Sequence, residues 1–435
     1  MDQAVTISRN EHAAVSTGSG LARAVGFFFA FRASIVLIAV RVFGAEPRVG
    51  AEAELALGMI LFGLVCFDSF GAARNTFQSV LRPASVRWVL AFLVLSSISL
   101  AWSATVSLPT STVYWCGLAA DVGSVLLLLR GGEVEAVSHS LMKGFIWSSC
   151  CLAAVAWIMP VQADLRLGDE DYFNTNQIGN LCAFSIFLAQ YLMRRKDGRW
   201  GLAAAFLAVT LLRSLSKTTI VAFLLAESFL VIQDRSITRK SKILLTVAVI
   251  LAVLVSWRLF EAYYDIYTNA GNQAETLTGR TAIWAYCLAA AIEHPWIGHG
   301  FDSLWKVVPP FGSDQFEARH AENELLQQFY AYGIVGIAVL IGVYGSLYAK
   351  VRRLPTGPVR VTFVSLLLFI VIRGLAEAEP FDLLLPVWSI VMIAALADSL
   401  EKTGFENADV PLVDSRFPIS EPANNRTACA ASGEV

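Results

Sequence analysis

A succession of apolar runs, several of them close to 20 residues long, limits what this chain can fold into more than any other feature. An α-helix rises about 1.5 Å per residue, so a run of that length crosses a hydrocarbon core roughly 30 Å thick. Lipid offers no hydrogen-bond partners, so such runs satisfy their backbone groups internally and read as helices. The composition agrees: 56% of the 435 residues are hydrophobic, only 16% are charged, and the mean hydropathy is +0.59. A soluble chain usually carries about 25% charge. A soluble enzyme, a disordered scaffold and a typical nucleic-acid binder are excluded, and a net charge of −2 supplies no basic field for nucleic acid. The expected fold is an all-α polytopic integral membrane protein.

Twelve spans are expected, near 24–43, 54–70, 86–102, 111–129, 143–160, 178–193, 200–214, 216–232, 243–261, 323–348, 360–376 and 383–399. The seventh and eighth nearly touch, which leaves an eleven-span count open. With the N-terminus in the cytoplasm, the inner connections hold Arg74, Arg82, Arg87, Arg130 and Lys143, then Arg194, Arg195, Lys196 and Arg199, then Arg235, Arg239, Lys240 and Lys242, and finally Lys350, Arg352, Arg353 and Arg360. The outer connections hold far fewer cations, so the positive-inside rule favours this orientation over its inverse. Residues 1–23 and 401–435 then form cytoplasmic tails, the second expected to be disordered. The polar start lacks a signal peptide's apolar core and cleavage site, so the first span is expected to act as an uncleaved anchor. Seven cysteines, most of them inside apolar runs, show no metal-site or disulfide spacing and read as packing residues.

One outer segment, 262–322, is about 60 residues long, well beyond the ~15 residues at which loops are usually functional or disordered. It is rich in Tyr, Trp, Phe, His and Gly. Within it, Thr278 and Gly279 suit a helix start and His294-Pro295 its stop, placing Arg280 in the first turn. A helix dipole disfavours a cation there, whereas exposed N–H groups together with a guanidinium make an anion site. Arg280 is therefore either an anion ligand or the partner of an acidic neighbour such as Glu275. Lys217, opening the eighth span with Arg213 one turn earlier, poses the same choice between phosphate binding and snorkelling. His320, with Glu322 two residues on, offers a proton acceptor before the tenth span. His299 sits in a stretch that reads as a tight turn. Arg32, Asp121, Glu227 and Arg373 lie inside spans, each at a cost of roughly 2.5–3.5 kcal/mol at a helix centre on insertion scales, and read as internally paired or facing a wet interior. No inverted pair of broken helices marks a transporter.

In order along the chain stand Gly279-Arg280 with Trp284, His294-Pro295-Trp296-Ile297-Gly298-His299-Gly300, His320 to Asn323, Leu326-Gln327, and Tyr332-Gly333-Ile334-Val335-Gly336. Upstream are Asn174-Thr175-Asn176-Gln177-Ile178-Gly179 and Ser216-Lys217-Thr218. This order resembles the O-antigen ligase and Wzy-type polysaccharide polymerase superfamily over about residues 172–345, and within it the exopolysaccharide polymerases. Two positions depart from the pattern: Lys217 stands where many members have Arg, and Glu322 where many have His.

The resemblance implies a metal-independent GT-C-type glycosyltransferase with no cofactor. Such an enzyme moves glycan from a polyprenyl-diphosphate-linked oligosaccharide to an acceptor hydroxyl at the periplasmic face of the bacterial inner membrane. By the same resemblance Arg280 and Lys217 bind the diphosphate and His320 or Glu322 is the base; Arg213, one turn before Lys217, is expected to join the diphosphate site, and Asn323, His299 and Asn176 are expected to contact substrate. Membrane lipid, a flippase and a chain-length regulator are the implied partners, and nucleic acid is not. A ligase acting on lipid A core is the alternative within the superfamily. A transporter or flippase component is the alternative outside it.

Overall fold

The structure, a computed structural model, describes residues 19–408 apart from 71–74, 163–164, 170, 256, 259–260, 263–276, 306 and 310–316. Glu275 and most of the two expected tails lie outside the described residues. Among those described there is no strand, only an isolated antiparallel bridge between Asp169 and Phe173.

A helix lies at each expected apolar run. They are α1 (Ser19–Arg41, with a 3-10 turn at Arg32–Ser34), α2 (Pro47–Ser69), α3 (Ala84–Ser99), α4 (Leu108–Gly131), α5 (Val134–Ile158), α6 (Thr175–Arg194), α7 (Gly201–Ser214), α8 (Lys217–Gln233) and α9 (Arg239–Val255). After α10 (Leu277–Glu293), within the long segment 262–322, come α11 (Glu324–Arg353), α12 (Pro358–Arg373) and α13 (Val387–Ala408). Five of them, α1, α2, α4, α5 and α11, are long and apolar enough to cross a membrane by length and composition. The chain is a multi-pass membrane protein on this basis.

Helix α13 is the central post. Its residues from Ile390 to Ala397 are buried, and Trp388 stacks on Phe29 of α1 with ring centroids 4.4 Å apart while touching Phe145 of α5. At the periphery the pattern inverts. Met59, Ile60, Leu64 and Phe67 of α2 and Ile243, Leu244, Leu251 and Leu254 of α9 face outward. An apolar exterior of this extent suits lipid and not water. Three of the four charges inside the apolar runs find partners within the bundle: Arg32 binds Asp121, and Glu227 accepts from Gln190 at 2.8 Å.

Two features concern where the helices end and where they bend. Helix α13 continues past residue 400, because Lys350 of α11 binds both Asp398 and Glu401 at 2.5 Å and Lys402 pairs with Asp398 one turn back. The tenth span is also broken. Gly333 takes φ +62°, ψ −152° inside α11, which frees backbone groups on both sides. The turn after α10 satisfies them reciprocally. His299 N donates to Tyr330 O (3.0 Å) and Gly300 N to Ala331 O (2.8 Å), while Ile334 N donates to Pro295 O (2.8 Å) and Val335 N to Trp296 O (3.3 Å). Only glycine fits at Gly298 and Gly333. Both have positive φ, and a Cβ on either would lie about 2.5 Å from the other segment's backbone. The break thus locks the turn at residues 295–300 onto α11.

Candidate active site

The N-terminal ends of α6, α8, α10 and α11 meet the C-terminal end of α12, so several orphan N–H groups and positive dipole ends gather in one place. The Asn-rich element supplies two distinct parts. Asn174 caps α6 by accepting from Gln177 N at 2.9 Å, and Asn176 turns inward. Its Oδ1 accepts from Ser216 Oγ at 2.8 Å, and Ser216 Oγ also lies within hydrogen-bond distance of Thr219 Oγ1, at 2.9 Å. The hydroxyls of the Ser216-to-Thr219 element therefore point into the cluster, while Lys217 is exposed on the first turn of α8.

Arg280 is the hub. Its Nη1 donates to Thr218 Oγ1 at 3.2 Å and to Ala376 O at 2.7 Å. Its Nη2 donates to Glu377 Oε1 at 3.0 Å and lies 3.3 Å from Glu322 Oε2. The acidic-partner option raised from the sequence is realised, with Glu377 and Glu322 as the partners. Glu377 also accepts from Asn176 Nδ2 at 2.9 Å and lies 3.8 Å from Arg373 Nη2. Arg373 reaches Thr219 Oγ1 through Nε at 3.4 Å.

The spacing of the Arg280–Trp284 pair now has a cause. Four residues apart on one face of α10, both reach the turn that precedes α11, since Trp284 Nε1 donates to Glu322 O at 3.1 Å. Gln327 holds the same turn by accepting from Ala321 N at 2.8 Å. Glu322 sits there with φ +50°, and its carboxylate lies between Arg280 and His320, 3.8 Å from the imidazole Nδ1. Burial pushes the Glu322 carboxyl above its ordinary range, an effect reinforced by Glu377 and opposed by His320, Arg280 and Arg373. Burial likewise raises Glu379, with Arg373 and His320 opposing it. The His320 side chain keeps about a quarter of its surface exposed.

Three residues expected in the site sit elsewhere or do other work. His299 belongs to the α10–α11 junction, its ring stacked on Tyr330 at 4.5 Å, because its backbone is committed to the broken helix. Arg213 donates through Nη1 to Leu165 O at 2.6 Å, tying the loop before α6 to the end of α7. Asn323 is the N-cap of α11: Oδ1 accepts from Leu326 N at 3.0 Å and Nδ2 donates to Leu375 O at 3.0 Å. Conversely, Arg373 stands in the sequence only as a charge inside a span, and Glu377 only as one of the acidic residues Glu377, Glu379 and Asp382 between the last two apolar runs. Their four-residue spacing across the end of α12 was the one available signal. Among the described residues, no group of three or more His, Cys, Asp or Glu side chains is placed to hold a metal ion.

Beside the cluster opens an apolar cavity of about 410 Å³ between α10 and α11, with Trp284, Leu288, Leu326 and Phe329 in its wall and Asn323 at its polar end.

Comparison with known proteins agrees with this arrangement of motifs. An exopolysaccharide production protein, ExoQ of Rhizobium meliloti, is 23% identical over 339 residues, covering 72% of this chain and 74% of that protein. An O-antigen ligase of Pseudomonas aeruginosa is 26% identical over 181 residues, 41% of each chain. A solved structure described under "Structural coordination of polymerization and crosslinking by a peptidoglycan synthase complex" shares 18% identity at a TM-score of 0.41, covering 73% of this chain and 96% of that one. A likeness that loose carries no argument. Residues 202–341, which contain α10, the His320 turn and the break in α11, match the family described as O-antigen ligase (Wzy_C), and the superfamily resemblance carried by the motifs is thereby shown.

Proposed function

We propose that this protein is a GT-C-type glycosyltransferase that joins polyprenyl-diphosphate-linked oligosaccharide repeats into exopolysaccharide at the periplasmic face of the bacterial inner membrane, with the chain crossing that membrane twelve times. The observation that carries this reading is the meeting of Arg280 with the α8 N-terminus on one side and the His320–Glu322 turn on the other. A guanidinium at convergent helix N-termini suits a diphosphate. The neighbouring apolar cavity suits the first isoprene units of the same carrier. One ligand class, a lipid diphosphate, thus accounts for both halves of the site.

In the proposed reaction the acceptor hydroxyl attacks the anomeric carbon of the donor sugar. Its proton passes to His320, the new C–O bond forms, and the bond from that carbon to the diphosphate oxygen breaks. Polyprenyl diphosphate leaves with the bonding electron pair, stabilised by Arg280. Glu322 Oε1, 3.8 Å from the imidazole Nδ1, balances the imidazolium that forms. The proposal needs no metal ion for any of these steps.

A polymerase is favoured over a ligase because the relative that spans more of this chain is an exopolysaccharide production protein. Glycan analysis of a strain lacking the gene tests it. Loss of high-molecular-weight exopolysaccharide with lipid-linked single repeats retained supports a polymerase. Intact polymer that is no longer attached to lipid A core would point to the ligase, and repeats trapped on the cytoplasmic side would point to a flippase.

A further inference from the structure

Arg373 is a buried charge that the reaction outlined above leaves without work. Its side chain is 2% exposed, and Glu377, its carboxylate partner, is 4% exposed. A guanidinium carries five N–H donors and no acceptor, so burying one demands a full set of acceptors. Here Nε has a long bond to Thr219 Oγ1 at 3.4 Å, Nη2 stands 3.8 Å from Glu377 Oε2, and the buried Nη1 has no hydrogen-bond partner. On the other side of the same carboxylate, Arg280 Nη2 donates to Glu377 Oε1 at 3.0 Å. Two guanidinium groups from different helices are therefore bridged by one carboxylate, and one of them keeps an unfilled donor. The Glu322 Oε2 atom, 3.3 Å from Arg280, is also buried without a hydrogen bond.

Resting on the proposed function, we infer that Arg373 is the second guanidinium of the diphosphate site, and that the Glu377 carboxylate occupies this site until a diphosphate displaces it. A carboxylate offers two oxygens and one negative charge, too few to saturate two arginines. A diphosphate offers more oxygens and more charge on a similar footprint. The hydroxyls of Thr218 and Thr219, which already touch Arg280 and Arg373, line the same side. When it is displaced, Glu377 keeps its bond from Asn176 Nδ2, so it need not be left unpaired. The placeholder keeps the two cations from repelling each other while the site is empty and makes binding an exchange of one anion for another.

The test is equilibrium binding of farnesyl diphosphate, as a short-chain probe, to the purified full-length protein in nanodiscs. Arg373→Gln is expected to weaken binding by at least about tenfold, the scale of a lost charge-assisted hydrogen bond, with Arg373→Lys falling between. Glu377→Gln, which removes the competing charge but keeps the shape, is expected to tighten binding several-fold. Thermal melting of each ligand-free variant separates binding from misfolding, and Glu377→Gln carries the test if Arg373→Gln fails to fold. Wild-type affinity in a folded Arg373→Gln protein, or weakened binding in Glu377→Gln, overturns the inference. In either case, loss of binding in Arg280→Ala leaves the proposed function standing. If Arg280→Ala also binds the probe normally, the proposed function itself fails.

Discussion

Arg280 Nη2 and Glu377 Oε1 lie 3.0 Å apart although 97 positions separate the two residues in the chain. Through this contact helix α10 is joined to the segment that follows α12. Asn176 and Arg373 converge on the same carboxylate, so the ends of α6 and α12 and the helix α10 share one polar centre.

The proton acceptor is the first consequence. His320→Ala is expected to lower transfer by at least ~10²-fold, since a positioned base typically contributes 10²–10⁴-fold. Glu322→Gln keeps the shape of the turn and removes only the charge facing Nδ1, so its loss should be smaller. An assay with purified enzyme and lipid-linked donor ranks the two, and the opposite order would make Glu322 the base.

A second consequence concerns pH. Glu322, faced by His320, Glu377, Arg280 and Arg373, stays protonated to higher pH than an ordinary carboxyl because it is buried. While protonated it neither competes for Arg280 nor repels a diphosphate. Farnesyl diphosphate affinity should therefore fall as pH rises through the Glu322 pKa, from above the ordinary carboxylate range upward. In Glu322→Gln that dependence should flatten, and an unchanged pH profile in this variant would remove Glu322 from the linkage.

The break in α11 predicts a structural effect. In Gly333→Ala a methyl group would lie 2.4 Å from the Trp296 carbonyl carbon, on a backbone at φ +62° that alanine resists. Backbone strain of this kind costs about 1–3 kcal/mol before the clash is counted. A clearly lower melting temperature is expected, with protease sensitivity appearing in the 295–300 turn. A melt that matches wild type would mean that the turn and α11 are not locked together.

Much of the helical framework was legible in the sequence, because apolar runs of span length leave few alternatives. Arg280 was legible too, from a cation placed at a helix start against its dipole. The partners of Arg280 were not. Asn176, Glu322, Arg373 and Glu377 are brought together by the packing of separate helices, and no local pattern records which helix ends meet. His299 shows the same limit from the other side. Its glycine-flanked motif reads as a tight turn, and Gly298 and Gly333 use their positive φ to pair that turn with a broken helix far along the chain. Arg213 stands near Lys217 in the chain, yet its guanidinium turns to the Leu165 carbonyl.

Topology gives an independent check. With α10 and the His320 turn on the periplasmic side, an impermeant thiol reagent should label a cysteine introduced at Asn272 in intact spheroplasts and leave one at Lys196 protected. The reverse pattern would invert the orientation.

The most direct measurement follows the carrier itself. Purified protein in liposomes, given a polyprenyl-diphosphate-linked repeat, is assayed by mass spectrometry for glycan chains and for free polyprenyl diphosphate. The account predicts one carrier diphosphate released per linkage formed, with the rate in Arg280→Ala reduced by at least about 10²-fold, the scale of losing one charge-stabilising donor. Linkages formed without release of polyprenyl diphosphate, or a wild-type rate in Arg280→Ala, would contradict it.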